Sequence, residues 1–287
     1  MVSAGMVFFM AAKAVAQNLY VTQTGTVILP QIGQGATVFS IQPNGTINPP
    51  IISGLEDPFA LAFDSSGDLF IGAEARIIEI TPGGTQSTFA SGMATSALAF
   101  NNAGDLFAGV GSNIVEITPD GIKTTFATLG LQQDVRALAF NSAGDLFAAE
   151  SALGMGAIFE YTPGGTRSTF AASISAPNGL AFNAAGNLFA SSVGSIYEYT
   201  SGGTRSTFAT GPEGSQGLAF NSAGNLFEAD RLNGTIYEYT PAGTQSVFVS
   251  GLSSPYALAF QPVPEPSTLG LMGVGTVTLL VWRMKRK

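Results

Sequence analysis

Ala137-Leu138-Ala139-Phe140-Asn141-Ser142-Ala143-Gly144-Asp145-Leu146-Phe147 decides the fold. It reads as a short apolar strand, a four-residue polar turn and a second strand. Asn, Ser and Gly are the residues that local side-chain bonding and positive φ select for turns. The same phrase returns, with small changes, at Ala60–Phe70, Ala97–Phe107, Gly179–Phe189 and Gly217–Phe227. A sixth copy starts at Ala257 and stops after Phe260. Phe63, Phe100, Phe140, Phe182, Phe220 and Phe260 stand 37 to 42 residues apart. That period is typical of propeller blades with four strands each.

Working outward, each unit yields strand a (Leu-Ala-Phe), the turn, strand b (Asp145-Leu146-Phe147 and its copies), strand c and strand d. Strand c is predicted at Thr37–Ile41, Ile77–Ile80, Ile114–Ile117, Ile158–Tyr161, Ile196–Tyr199 and Ile236–Tyr239. Turns of the Thr81-Pro82-Gly83-Gly84 type follow, with Pro presetting φ at the second position and Gly expected to supply φ > 0 at the third. Strand d is Ser168–Ala171 and its copies. The first unit lacks strand a and begins at strand b, Asn18-Leu19-Tyr20-Val21. The missing strand is the orphan Leu258-Ala259-Phe260. The prediction is an all-β, six-bladed propeller of four-stranded antiparallel blades spanning residues 17–262, closed by the C-terminal strand, which removes open edges. An open solenoid is the alternative, and the complementary halves argue against it.

The repeats resemble NHL and YVTN-type propellers and, more loosely, the gluconolactonase/regucalcin superfamily. Leu226-Phe227-Glu228-Ala229-Asp230 with Asn233-Gly234-Thr235-Ile236 is the copy most similar to an NHL blade. The resemblance implies fold rather than function, because propellers host many activities.

Both ends of the chain carry address signals. Met6–Ala12 is apolar, and Ala14-Val15-Ala16 before Gln17 fits a small-x-small cleavage site, so residues 1–16 are expected to be a signal peptide cut between Ala16 and Gln17. No Lys or Arg precedes the apolar stretch; Lys13 follows it. At the other end stand Val263-Pro264-Glu265-Pro266, an apolar run from Leu269 to Trp282 and Arg283-Met284-Lys285-Arg286-Lys287. About 14 residues at 1.5 Å each make ~21 Å of helix against ~30 Å of hydrocarbon, a marginal span that snorkelling ends extend. The basic end holds that side in the cytoplasm. Residues 263–287 resemble the PEP-CTERM sorting signal of Gram-negative, biofilm-forming bacteria. That resemblance implies an exosortase as processing partner, acting at Pro264-Glu265-Pro266, and release to the cell surface or exopolysaccharide matrix. A plain single-pass anchor is the alternative.

Composition narrows the chemistry. The chain has no Cys and no His, so disulfides, the usual zinc sites and the commonest general base are absent. Residues 17–262 hold 18 acidic and 6 basic side chains. Nucleic acid is therefore a poor partner, and no cofactor or metal is expected. Glu79, Glu116, Glu160, Glu198 and Glu238 repeat one strand c position in different blades, too far from the axis to converge. They are expected to pair with Thr and Ser of neighbouring strands. Asp68, Asp105 and Asp145, replaced by Asn187 and Asn225 elsewhere, are expected to bond the local turn backbone. Asn44 and Asn233 read as turn residues.

Variation concentrates at one face. Before strand a stand Phe59, Ser96, Arg136, Asn178, Gln216 and Tyr256; the b–c loops add Glu74, Glu150, Asp230 and Arg231. A uniform scaffold with a variegated mouth is what a propeller binding site presents. Phe59, Arg136, Glu150, Asn178, Gln216, Asp230, Arg231 and Tyr256 are the candidate ligand residues. Polysaccharide or another surface protein is the expected partner, and no catalytic residue is identified. Pro177-Asn178-Gly179-Leu180 resembles a metal-ligand segment of the gluconolactonase/regucalcin group, which implies Asn178 as one oxygen ligand of a divalent cation. The other ligands of that group do not follow here, and only Glu150 and Asp230 offer carboxylates as substitutes. The lyase-type propellers rely on histidine, absent from this chain.

Overall fold

The computed structural model describes residues 17–24, 36–73, 75–130, 133–152 and 155–263. The predicted signal peptide up to Ala16, Glu74, and Pro264-Glu265-Pro266 with the apolar and basic tail lie outside the described residues. No described helix is long and apolar enough to cross a membrane. Among the described residues, 24 strands form six antiparallel sheets of four. Blade 5 is typical, with strands Gly179–Phe182, Leu188–Ser192, Ser195–Tyr199 and Arg205–Ala209 in sheet order a-b-c-d. Blade 1 is assembled from both ends of the chain: Pro255–Phe260 supplies strand a, followed by Leu19–Gln23, Ala36–Ile41 and Ile52–Leu55. Leu19 sits opposite Phe260 and Val21 opposite Leu258. The orphan strand therefore closes the ring, as the missing first strand requires.

The repeated phenylalanines hold blade to blade. Strand b of each of blades 2 to 6 carries a Phe that meets strand d of its own blade and strand a of the next. Phe70 meets Phe89 and Phe100 edge-on; Phe227 meets Phe248 and Phe260. The six inter-blade pairs, Tyr20–Phe63 included, have centroids 4.8–5.1 Å apart in edge-to-face geometry. Each such pair is worth about 0.5–1.5 kcal/mol beyond the area it buries. The Phe227–Phe260 contact shows why the truncated sixth copy ends at its Phe: that ring locks the closing strand onto blade 6.

Both kinds of repeat turn use one device, and it differs from the expected one. In Thr81-Pro82-Gly83-Gly84 the positive φ falls on the fourth residue, Gly84 (φ 83°), not the third. Gly84 N–H donates to the Thr81 carbonyl at 2.8 Å and Thr81 N–H to that of Thr85 at 3.0 Å. This is a hairpin turn followed by a bulge glycine. Asn141–Gly144 repeats it, with Gly144 at φ 90°. The turn backbone is bonded not by Asp145 but by Asn141, whose Oδ1 accepts from the N–H groups of Ala143 and Asp145 at 3.0 and 2.8 Å. Asp105 and Asp145 instead accept from Asn101 and Asn141 Nδ2.

The strand c glutamates also find partners other than those expected. Ser87 does donate to Glu79. In blades 5 and 6, however, Asn187 and Asn225 donate to Glu198 and Glu238 at 2.8 and 2.7 Å. Where Asn replaces Asp after the turn, an amide donor faces the glutamate. Asn44 accepts from Thr46 N–H, a local turn bond.

Candidate functional site

Strand a is the innermost strand of every blade, and its six starting ends surround the axis. There they form a pocket of about 70 Å³ lined by Phe59, Ser96, Arg136, Asn178 and Tyr256, with the small residues of strands a forming its floor. Arg136 and Tyr256 lie inside strands Asp134–Phe140 and Pro255–Phe260 rather than before them, because strand a is longer in those blades. Phe59 and Tyr256 pack as a tilted pair, centroids 4.9 Å apart and planes at 52°. Burial raises the Tyr256 hydroxyl above its ordinary range, and the positive charges of Arg136 and Arg231 oppose that shift. Both guanidiniums therefore act on one side of the mouth.

The polar groups around the axis are largely committed to the scaffold. Asn178 Nδ2 donates to the Ser215 carbonyl of the next blade at 3.1 Å. Ser96 Oγ donates to the Val135 carbonyl at 2.6 Å. Ser191 Oγ donates to the Gln216 carbonyl at 2.8 Å. Gln216 lies in strand Ser215–Phe220 and does not line the pocket, where Gly217 takes its place. Gly179 and Gly217 are required by this crowding: a Cβ at Gly179 would stand 2.2 Å from the Gln216 carbonyl oxygen.

Two candidates are in different places from those the sequence suggested. Glu150 is not in a b–c loop. It lies within strand Leu146–Ala152, 2% exposed, and accepts from Tyr161 Oη at 2.7 Å and Arg167 at 2.5 Å. Asp230 is fully buried at the end of strand Leu226–Asp230 and accepts from the N–H groups of Leu232 and Asn233 and from Asn233 Nδ2. Neither lines the axial pocket. Arg231 is exposed in the adjoining turn. The residues do not fit the metal site that the resemblance implied. Asn178 is bonded across blades, the two carboxylates are spent elsewhere, and the charged residue lining the pocket is a cation. Among the described residues no group of three or more His, Cys, Asp or Glu could hold an ion.

Sequence reasoning missed Glu228. This carboxyl is fully buried, faces no cation among the described residues, and accepts from Ser215 Oγ and from Tyr239 Oη at 2.5 Å. Burial pushes it up to about 7; the two hydroxyl bonds pull the other way and the neighbouring Asp230 charge adds to the rise. The signal was available. The equivalent strand b positions are Ile71, Ala108, Ala148 and Ala190, all buried.

A second cavity of about 390 Å³ adjoins the first, sharing Phe59 and Ser96 and lined also by Glu56, Asp57 and Thr95. Non-glycine residues with left-handed backbone gather at this face. Asp57, Ala176 and Ser254 lie in d–a connections, Ala75 in a b–c connection and Ser173 near the mouth end of strand d. The opposite face carries the repeated a–b and c–d turns and the ends of the described domain, Gln17 and Gln261. Gln17 Nε2 donates to the Gln261 carbonyl at 2.7 Å, and Ser222 N–H donates to Gln17 Oε1 at 2.8 Å.

Residues 262–287 match the PEP-CTERM protein-sorting motif. The motif marks the chain for processing by an exosortase and for membrane-anchored sorting toward the cell surface. No curated protein sequence matches the chain. Among solved structures it is similar to a chain of a nidogen/laminin complex, at 15% identity over 87% of this chain and 99% of that one, with TM-score 0.74. It is similar to regucalcin, a calcium-binding protein from Agrobacterium tumefaciens, at 19% identity over 70% and 74%, TM-score 0.58. Virginiamycin B lyase from Staphylococcus aureus is similar at 16% identity over 86% and 96%, TM-score 0.61. At these identities the likeness is one of fold alone, and it agrees with the six four-stranded blades described above.

Proposed function

We propose that this chain is an exported propeller of a Gram-negative cell surface or extracellular matrix. In this reading a signal peptide ends at Ala16, and an exosortase cuts the tail at the Pro264-Glu265-Pro266 motif. The propeller then acts without catalysis, binding a saccharide of the surrounding matrix at its mouth. The observation that carries the binding role is the axial pocket: a tilted Phe59–Tyr256 pair beside Arg136 and Asn178. Aromatic faces pack on the apolar faces of sugar rings, and a few convergent polar groups fix orientation. The axial pocket of about 70 Å³ and the adjoining cavity of about 390 Å³ together give room for a sugar unit and its neighbour. A metal-dependent lactonase is disfavoured by its donors: the ion would need oxygens that Glu150 and Asp230 have committed elsewhere.

The placement of the termini supports an orientation. Seven residues, Pro262 to Thr268, separate Gln261, fixed on the turn face, from the apolar run at Leu269, so the tether is at most about 29 Å long. Before cleavage the turn face lies toward the membrane and the mouth points outward. The test of function is a glycan array and a pull-down with the producer's own polysaccharide. The full chain binds and the double variant Phe59→Ala, Tyr256→Ala does not. A blank result in both assays would count against the saccharide role.

A further inference from the structure

We infer that the mouth selects acidic sugars, with Arg136 taking the carboxylate of a uronic acid unit while the ring packs on Phe59 and Tyr256. This rests on the saccharide reading of the mouth and names its ligand class. Three observations support it.

The first is charge. Residues 17–262 contain only six cationic side chains against 18 acidic ones. Yet among the described residues Arg136 is the one charged side chain lining the axial pocket, and a second of the six, Arg231, acts electrostatically on the same Tyr256 hydroxyl. A strongly acidic protein that keeps a guanidinium at the centre of its mouth is arranged for an anion.

The second is the balance of donors and acceptors. Ser96 Oγ–H and Asn178 Nδ2 already donate to backbone carbonyls. What they present to a ligand is mainly acceptor capacity, Ser96 Oγ and Asn178 Oδ1, which suits sugar hydroxyl hydrogens. The donors left are the Arg136 guanidinium, the Tyr256 hydroxyl and the second N–H of Asn178 Nδ2. A ligand with one strong acceptor group and several hydroxyls matches that set, and a guanidinium grips a carboxylate through two parallel bonds. The Asp134 carboxylate touches Arg136 at 3.5 Å, but both side chains are substantially exposed, at 40% and 56%. Such a pair is worth little and yields to a better-placed anion.

The third is the neighbouring cavity. It shares Phe59 and Ser96 with the axial pocket but is walled by Glu56 and Asp57. The Asp57 carboxylate disfavours a second acid group there, and the cavity admits a neutral portion of the sugar chain. The two cavities together orient an acidic sugar with its carboxylate inward at Arg136.

The test is calorimetry of the full chain in detergent with trimers of galacturonate, glucuronate and mannuronate, each against its uncharged methyl ester. At least one acid binds about tenfold or more tightly than its ester, and the preference shrinks as salt rises. Arg136→Gln removes that preference, weakening acid binding by about tenfold or more and ester binding by less; Arg231→Gln reduces the preference less. Melting curves establish that both variants are folded. Equal binding of acid and ester, or binding of esters alone, overturns the inference and leaves the saccharide reading standing. Acid preference that survives in Arg136→Gln also overturns it. If no trimer binds while neutral glycans bind on the array, only the inference falls; if the array is blank too, both fall.

Discussion

Glu228→Gln should flatten the dependence of stability on pH. The wild-type carboxyl is fully buried with no cation facing it among the described residues, and burial raises it from 4.5 to about 7. Between those two values the folded state keeps a proton that the unfolded chain has released. Stability from the neutral carboxyl is therefore complete below pH 4.5, falls through the window, and is lost above about pH 7. A shift of about 2.5 units corresponds to about 3 kcal/mol, to order of magnitude. Gln keeps the shape and cannot ionise, and the hydroxyls of Ser215 and Tyr239 can turn to suit it. The variant should match the wild type near pH 4.5 and exceed it by up to about 3 kcal/mol at pH 8. Urea midpoints at half-unit steps from pH 4.5 to 8 read this directly, since ~3 kcal/mol moves a midpoint by roughly 1 M or more. Glu150→Gln should show the same sign with a smaller effect, because Arg167 and Tyr161 oppose its upward shift. A wild-type midpoint that falls no more than that of Glu228→Gln, or a variant less stable than wild type at pH 8, would refute the reasoning.

Three further outcomes are expected. Gly179→Ala forces a Cβ to 2.2 Å from the Gln216 carbonyl oxygen and should cost about 1–3 kcal/mol; an unchanged melting temperature would contradict it. Asp68→Asn should gain a few tenths of a kcal/mol at pH 7, because Asp68 is held up by burial and by the charges of Asp64 and Glu79, whereas Asn187 in the same position donates to Glu198. That gain should fade as pH falls toward the carboxylate range, and a loss of stability at pH 7 would count against the pairing. Ending the chain after Ser254 deletes the strand that pairs with Leu19–Gln23 and the Phe227–Phe260 contact. Circular dichroism and size exclusion should then show an aggregating, poorly cooperative domain, and a sharp unchanged transition would argue that the ring does not depend on closure.

The fold was legible because one residue type does one job at one spacing. Phe140 and its copies are spaced as they are because each must reach the strand b ring of the preceding blade. A copy that stops at Phe260 had nowhere to go but the incomplete first blade. The site was only partly legible. Phe59, Arg136, Asn178 and Tyr256 do meet, since the start of strand a is fixed at the axis by topology. Glu150 and Asp230 were misplaced because a carboxylate in an apolar strand reads as a loop boundary until its partners, Arg167 and Asn233, are known. Those partners lie in the same blade as the carboxylate each one holds. Glu228 escaped for the opposite reason: aligned to Ala148 and Ala190 it stands at a core position, and only the burial of Tyr239 beside it explains how a carboxyl survives there.

The account as a whole turns on where the mature chain ends. Intact-mass spectrometry of the protein from cells with and without their exosortase tests it most directly. The predicted mass in exosortase-bearing cells begins at Gln17 and lacks the apolar run Leu269–Trp282 and the basic end, while cells without the enzyme retain both. An intact tail in both strains would contradict the account and make the protein a permanently anchored propeller.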